Sequence, residues 1–340
     1  MSEATNLVPG DTNRMEDIFV RDLRHGTLQR VEAPEGGRIH EPALSADGRY
    51  LAYSQYEVVD GGIHVIVRDL RTGRTERADV DLDAGHTGGE TPSLSADGRT
   101  VAFLARDNDP STWGPPAVYV RDSRARRTER VSDTATPGSG HEALQPSLSA
   151  DGTKVAYRWR RNATPDKDWG DVYVYDRATG GTTQADATHD GSPADHASKN
   201  PLLSADGSTV VFESWATNMM PDDIPHGWTP FVRDLDTGKL TRIDPGLLPA
   251  LEPLWAEGIS TDGSKLLLRA SPWTEKDASY IRDLRTGVDV LVSPGKDGKP
   301  ARAVDARMDV RAQTVVFAGA DSFVPGDTNG WQDIFVHTVR

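Results

Sequence analysis

The stretch Leu44-Ser45-Ala46-Asp47-Gly48-Arg49-Tyr50-Leu51-Ala52-Tyr53-Ser54 reads as a strand, a tight turn and a second strand. An Asp side chain accepts hydrogen bonds from nearby backbone N–H groups, and Gly tolerates positive φ, so Asp47-Gly48 supplies the turn. The apolar or alternating flanks supply the strands. The unit returns at 94–103 (LSADGRTVAF), 148–157 (LSADGTKVAY), 203–212 (LSADGSTVVF) and 259–268 (ISTDGSKLLL). A sixth copy at 308–317 (MDVRAQTVVF) lacks the Asp-Gly pair and keeps the apolar second strand. Self-similarity at a period of about fifty residues restricts the chain to a repeat architecture.

A third strand with its own signature follows each hairpin. Copies are 17–23 (DIFVRDL), 64–70 (HVIVRDL), 118–123 (VYVRDS), 172–177 (VYVYDR), 231–235 (FVRDL) and 280–284 (YIRDL). A turn, usually Thr-Gly, leads into a fourth strand such as 27–31 or 128–132. Four antiparallel strands per repeat, a to d from the inside out, make the blade of a β-propeller. The expected fold is therefore all-β: a six-bladed β-propeller with four antiparallel strands per blade, in a single domain over 1–340. The 32 Gly and 22 Pro suit so many turns.

The two ends match each other. Residues 6–13 (NLVPGDTN) lead into DIFVRDL, and 323–329 (FVPGDTN) lead into 333–336 (DIFV). This predicts a ring closed by strands from both termini, the closing blade being shared by about 1–32 and 303–340. It leaves one c strand too many, because 17–23 and 333–338 compete for one place.

LSADGR…VAF followed by VYVRDL and Thr-Gly resembles the TolB-type propeller repeat, the WD40-like Asp-Gly blade, over nearly the whole chain. The resemblance implies the fold and permits a transport-associated or scaffolding role. The repeat also occurs in the propeller domains of prolyl-oligopeptidase-like enzymes, which carry a separate α/β-hydrolase domain. This chain has no Gly-x-Ser-x-Gly nucleophile elbow.

A net charge of −14 argues against general nucleic-acid binding, which needs a cationic face. No apolar run approaches the roughly eighteen residues of a membrane span. No charged start with an apolar core marks a signal peptide, so the expected compartment is cytoplasmic, or extracytoplasmic as a mature form. The absence of cysteine removes disulfides and thiolate chemistry.

In a propeller the b–c and d–a loops share one face. Trp113, Trp159, Trp169, Trp215, Trp228, Trp273 and Trp331 fall in or beside b–c connections, and Trp255 in a d–a connection. Indole offers broad apolar area with a polar N–H, which suits sugars, aromatic groups or cations. Trp159, Trp215 and Trp273 lie nearest the ends of b strands and are the first ligand-binding candidates, with Trp255, His189 and His196. The competing explanation is that large loops need aromatic anchors.

His40, His86 and His141, with Glu41, Glu90 and Glu142, lie in d–a connections and are the candidate catalytic residues. Imidazole with carboxylate also suits a divalent metal such as Zn²⁺, Fe²⁺ or Mn²⁺. Asp327, Asn329 and Asp333 resemble the start of a calcium loop, although Asx-turn chemistry explains the same motif. The Asp of VRDL and of SADG recurs from blade to blade and reads as structural. The expected function is non-catalytic binding of a small molecule, glycan or peptide on the Trp/His/Asp-rich face. The alternative is a lyase, cyclase or hydrolase using the His/Glu cluster, with or without metal.

Overall fold

The computed structural model describes residues 1–2, 7–13, 15–59, 61–82, 86–107, 115–132, 142–160, 170–221, 227–244, 254–270, 277–321, 323–324, 326 and 331–339. Among these residues every regular element longer than a turn is a β-strand. β1 (Ile18–Arg21) and β2 (Leu28–Val31) form a two-stranded sheet. β3–β6 (Arg38–Leu44, Tyr50–Tyr56, Ile63–Asp69, Thr75–Arg77) form blade 1. β7–β10 (His86–Leu94, Thr100–Asp107, Ala117–Asp122, Arg127–Arg130) form blade 2. β11–β14 (Glu142–Leu148, Lys154–Arg160, Gly170–Asp176, Gly181–Gln184) form blade 3. β15–β18 (Ser198–Leu203, Thr209–Ser214, Thr229–Asp234, Leu240–Arg242) form blade 4. β19–β22 (Leu254–Ile259, Lys265–Ala270, Ala278–Asp283, Asp289–Leu291) form blade 5. β23–β25 (Val304–Met308, Thr314–Gly319, Asp333–Thr338) form blade 6, which has three strands.

This is the fold of a six-bladed β-propeller, as the repeat predicts. The chain divides into two compact units, Met1–Leu148 and Ser149–Arg340, the boundary falling after β11.

Each a–b turn is built from side chains. Ser45 Oγ donates to Asp47 Oδ1 (2.6 Å), Asp47 Oδ1 accepts Arg49 N (3.0 Å), and Ser45 Oγ accepts Tyr50 N (2.8 Å). The set recurs at Asp97, Asp151, Asp206 and Asp262. The degenerate sixth copy keeps the turn by other means. Asp309, in the place of the serine, accepts Gln313 N (2.6 Å) and Thr314 N (3.1 Å), and Ala312 takes the left-handed conformation (φ 53°).

The Asp of VRDL caps the c–d turn. Asp69 Oδ1 accepts Arg71 N and Thr72 N, and the pattern returns at Asp22, Asp122, Asp176, Asp234 and Asp283. The Arg of the same motif ties a blade to the preceding one: Arg121 reaches Asp81 Oδ2 (2.8 Å), and Arg233 Nε reaches the Ala185 carbonyl (3.0 Å).

The blade cores repeat too. An aromatic residue of strand b stacks on one of strand c in Phe103–Tyr119, Tyr157–Tyr173, Phe212–Phe231 and Phe317–Phe335, with centroids 5.7–6.2 Å apart. Strand a is interrupted by a bulge, seen as register shifts at His40/Ala43, Glu90/Ser93, Lys199/Leu202, Ala256/Gly258 and Val304/Arg307. Glu41, Thr91, Asn200 and Asp305 sit at these interruptions at positive φ, and Gln145 takes positive φ in strand a of blade 3. Bulges re-aim side chains and often border functional sites.

The two competing c strands are used differently. β25 pairs with β24 throughout, from Thr314↔Thr338 to Gly319↔Asp333, so the C-terminal copy holds the third place of blade 6. β1 pairs with β2, and its Ile18 is buried against Ile39, Leu51, Tyr53 and Ile66 of blade 1. Among the described strands, the pairing therefore keeps the two copies in separate sheets. Sequence identity cannot choose between them, because both present the same DIFV. Phe335 also packs between Phe317 (5.7 Å) and Phe323 (4.6 Å). Removing residues 333–340 is expected to cost about 3–5 kcal/mol from lost aromatic packing alone and to bare the edge of β24 to aggregation. Urea unfolding and light scattering check this; a monomer with an unchanged midpoint would contradict it.

Candidate functional site

The second unit brings three indoles, two buried carboxyls and two cations together on blades 4 and 5. Glu213 lies in β16, opposite Lys199 of β15 and Pro230 of β17. Its side chain is 1% exposed, and Lys199 Nζ stands 3.8 Å from its Oε2. Asn200, at the bulge, donates its Nδ2 to the same oxygen at 2.9 Å. The Ala256 backbone of blade 5 also favours the charged form of this carboxyl. Burial nevertheless outweighs the nearby Lys199 and Arg269 charges and pushes the Glu213 carboxyl up to about 7.

Lys199 Nζ also lies 3.7 Å from the centroid of the Trp228 ring. Trp215, directly after β16, meets Trp228 edge to face, with centroids 5.7 Å apart and planes at 82°. Trp215 is 45% exposed. Trp228 is half-buried and directly precedes β17. The backbone holds Trp215 in place, its N donating to the Ala197 carbonyl at 3.0 Å.

Blade 5 repeats the combination. Arg269 lies over Trp255, 4.3 Å from its centroid, and donates to Glu257 Oε1 (2.8 Å) and Asp277 Oδ2 (3.4 Å). Burial raises the Glu257 carboxyl against the pull of Arg269. Among the described residues, Glu213 Oε1 and Glu257 Oε2 are buried without a hydrogen-bond partner. Carboxyls raised by burial beside cations and exposed indole are the ingredients of a binding or acid–base site.

The residues expected from sequence fare unevenly. Trp215 and Trp255 belong to this cluster. Trp159 lies within β12, half-buried and edge-on to Tyr173 of its own blade (5.8 Å). Trp273, Trp113 and Trp169 lie outside the described residues, while Trp331 is exposed ahead of β25. His189 and His196 are exposed in the loop before β15. His196 Nδ1 is 3.1 Å from Asp195 Oδ1, and Asp195 in turn accepts Thr217 N (2.7 Å) and Thr217 Oγ1 (2.5 Å). His196 is one residue from Ala197 and thus borders Trp215.

In the first unit, Glu41 Oε2 accepts Ser54 Oγ (2.9 Å) and Thr91 N (2.8 Å), which ties blade 1 to blade 2. Glu90 is paired with Arg106 Nε at 2.5 Å. His40 is half-buried opposite Ser54, and Glu142 half-buried at the start of β11. His86 lies in β7, its side chain outside the description, and His141 lies outside the described residues altogether.

Of the calcium candidates, Asp327 and Asn329 are outside the described residues, and Asp333 opens β25 opposite Gly319. Among the described residues no three His, Asp or Glu side chains are grouped to hold a metal ion. The N-terminal copy of the motif is closed by the chain itself. Arg30 pairs with Asp17 Oδ2 (2.7 Å), Asp11 Oδ1 (3.2 Å) and Glu32 Oε1 (3.1 Å), while Asp17 Oδ1 accepts Ala33 N (2.7 Å).

Lys199, Glu213, Glu257 and Arg269 are absent from the expected set. Aligning the b strands on their turn gives Ser54, Leu104, Arg158, Glu213, Arg269 and Ala318 in one column. A charge inside an apolar b strand, present in some repeats and absent from others, is the asymmetry that marks Glu213 and Arg269.

No family model and no curated protein matches this chain. Solved structures do. The putative TolB of Agrobacterium tumefaciens is 17% identical over 95% of this chain and 98% of its own, with a TM-score of 0.53. The β-propeller domain of the trilobed protease of Pyrococcus furiosus is 14% identical over 88% of this chain and 82% of its own, TM-score 0.57. A prolyl endopeptidase structure gives a TM-score of 0.64 at 15% identity, over 94% of this chain and 46% of its own. The chain spans 58% of the TolB of Acinetobacter baumannii, which it also matches. The fold is that of the TolB-type β-propeller.

Proposed function

We propose that this TolB-type propeller is a non-catalytic binding module that takes a small molecule, glycan or peptide at the Trp215–Trp228 corner of blade 4. The observation that carries the reading is Trp215 itself. Its indole is 45% exposed, yet it is held by a backbone hydrogen bond and by the edge of Trp228. A large rigid aromatic surface kept in water costs free energy that a ligand recovers on binding. His189, His196 and Trp255 are the rim candidates.

Replacing Trp215 by Ala should weaken ligand binding by about tenfold or more, as loss of an aromatic anchor does, and leave the melting temperature nearly unchanged because the ring is half in water. Calorimetric titration of ligands found by indole fluorescence checks this. Unaltered affinity in Trp215→Ala would remove the corner from the site.

One observation favours the catalytic alternative. A carboxyl held near 7 beside Lys199 is poised for general acid–base work. A bound ligand that is turned over by the wild type and only bound by Glu213→Gln would establish it.

A further inference from the structure

The Trp215–Trp228 corner already holds a cation, and it is the protein's own. Lys199 Nζ rests on the Trp228 face at 3.7 Å and beside Glu213 Oε2 at 3.8 Å. Trp215 stands at 82° to Trp228 and forms a second wall. A π face, a second indole and a buried carboxylate are together the chemistry that recognises an ammonium group. We propose that this corner is a seat for an alkylammonium group of the ligand, occupied in the free protein by Lys199, which the ligand displaces. This rests on the reading of the corner as the binding site and names the group the site selects.

The contrast with blade 5 identifies Lys199 as the movable occupant. Arg269 also covers an indole, but Glu257 at 2.8 Å and Asp277 at 3.4 Å hold it from two sides. Among the described residues Lys199 has one carboxylate partner, beyond hydrogen-bond distance at 3.8 Å, and its side chain is 23% exposed on a flexible stem. Swinging it into water frees the Trp228 face and uncovers Glu213 in one movement. A ligand ammonium then inherits both contacts and gains the Trp215 wall. An anionic group would face the Glu213 charge, and a neutral one would leave Lys199 in place.

A resident occupant lowers apparent affinity by the fraction of time that the seat is free, so emptying it should tighten binding. The probes are choline, for a free small ammonium, and the peptide acetyl-Gly-Lys-Gly-amide, for a lysine presented by a polypeptide. Titration followed by indole fluorescence should show Lys199→Met binding at least one probe about tenfold more tightly than the wild type. Trp228→Ala should lose that binding in both backgrounds, and Lys199→Gln, which keeps a polar end, serves if the Met variant does not fold. The better of the two probes assigns the source of the ammonium. Equal affinity in Lys199→Met and wild type, or binding that survives Trp228→Ala, overturns the proposal. If neutral oligosaccharides bind through Trp215 while neither ammonium probe does, the seat is refuted and the binding reading stands. If no probe of any class depends on Trp215, both fall.

Discussion

Gly98→Ala should destabilise the protein by about 1–3 kcal/mol more than Gly48→Ala, although both glycines occupy the same place in an LSADGR turn. Both are left-handed, with φ of +69° and +70°. Adding a Cβ to such a residue costs about 1–2 kcal/mol wherever it sits. At Gly48 no other described residue lies within 4 Å of the added atom. At Gly98 it would run into the Cβ and ring of Tyr50 of blade 1, so a packed aromatic must shift. Gly263 repeats the situation in the second unit, where the added atom would run into Thr209 Oγ1 and Cβ. The a–b turn of one blade is thus seated on the first b-strand residue of the preceding one, and only some blades make that contact tight. Denaturant midpoints at constant slope read the difference. Equal losses in Gly98→Ala and Gly48→Ala would mean that this turn does not pack on Tyr50.

Stability should rise as pH falls from 8 to about 5, the reverse of the usual expectation for an acidic protein. Glu213 is pushed up to about 7 by burial. Asp186 is pushed up to about 6 by burial, with the Asp171 charge adding to it. Both return to ordinary values on unfolding, so the folded state binds these two protons more tightly. Their contribution grows as pH drops through each folded value and is complete below the ordinary carboxylate range. Shifts of about two units correspond to roughly 3 kcal/mol per group at full protonation.

Below about pH 4 a second set acts in the opposite sense. Asp22, Asp69, Asp190 and Asp262 are held down to about 2, chiefly by side-chain hydrogen bonds from His25, Arg49, Thr188 and Ser264. Their stabilisation is present above the ordinary carboxylate value and disappears as pH falls towards 2. The melting temperature should therefore peak near pH 4–5, and Glu213→Gln with Asp186→Asn should flatten the limb above it. A double variant with the wild-type profile would show that these carboxyls are not the source.

The sequence declares the turns in full because their chemistry is local. Ser45, Asp47 and Gly48 satisfy one another within six residues, and Asp69 caps the turn that follows it. The sixth turn is harder to read, since Asp309 and Ala312 reach the same geometry with different residues. The site is mostly hidden because its partners are distant in the chain. Lys199 meets Trp228 through a cross-strand arrangement, and Glu213 meets the Ala256 backbone only when blade 5 packs on blade 4. Counting strands places Trp255 in a connection, whereas it lies in β19, which starts earlier than its apolar core suggests; Trp159 lies at the end of β12, beside its connection as expected. Trp215 follows its strand directly, as its distance from the turn predicts, and its exposure follows from that position.

The proposed binding surface lies on blade 4, at Trp215 and Trp228. Fluorine NMR of protein labelled with 5-fluorotryptophan reports on its eight indoles separately. Resonances are assigned with Trp215→Phe and Trp228→Phe. Titration with choline, the lysine peptide and neutral oligosaccharides should shift the Trp215 and Trp228 signals first and leave that of Trp159 in place. Shifts confined to other indoles, with Trp215 and Trp228 unmoved by a ligand that binds, would contradict the account.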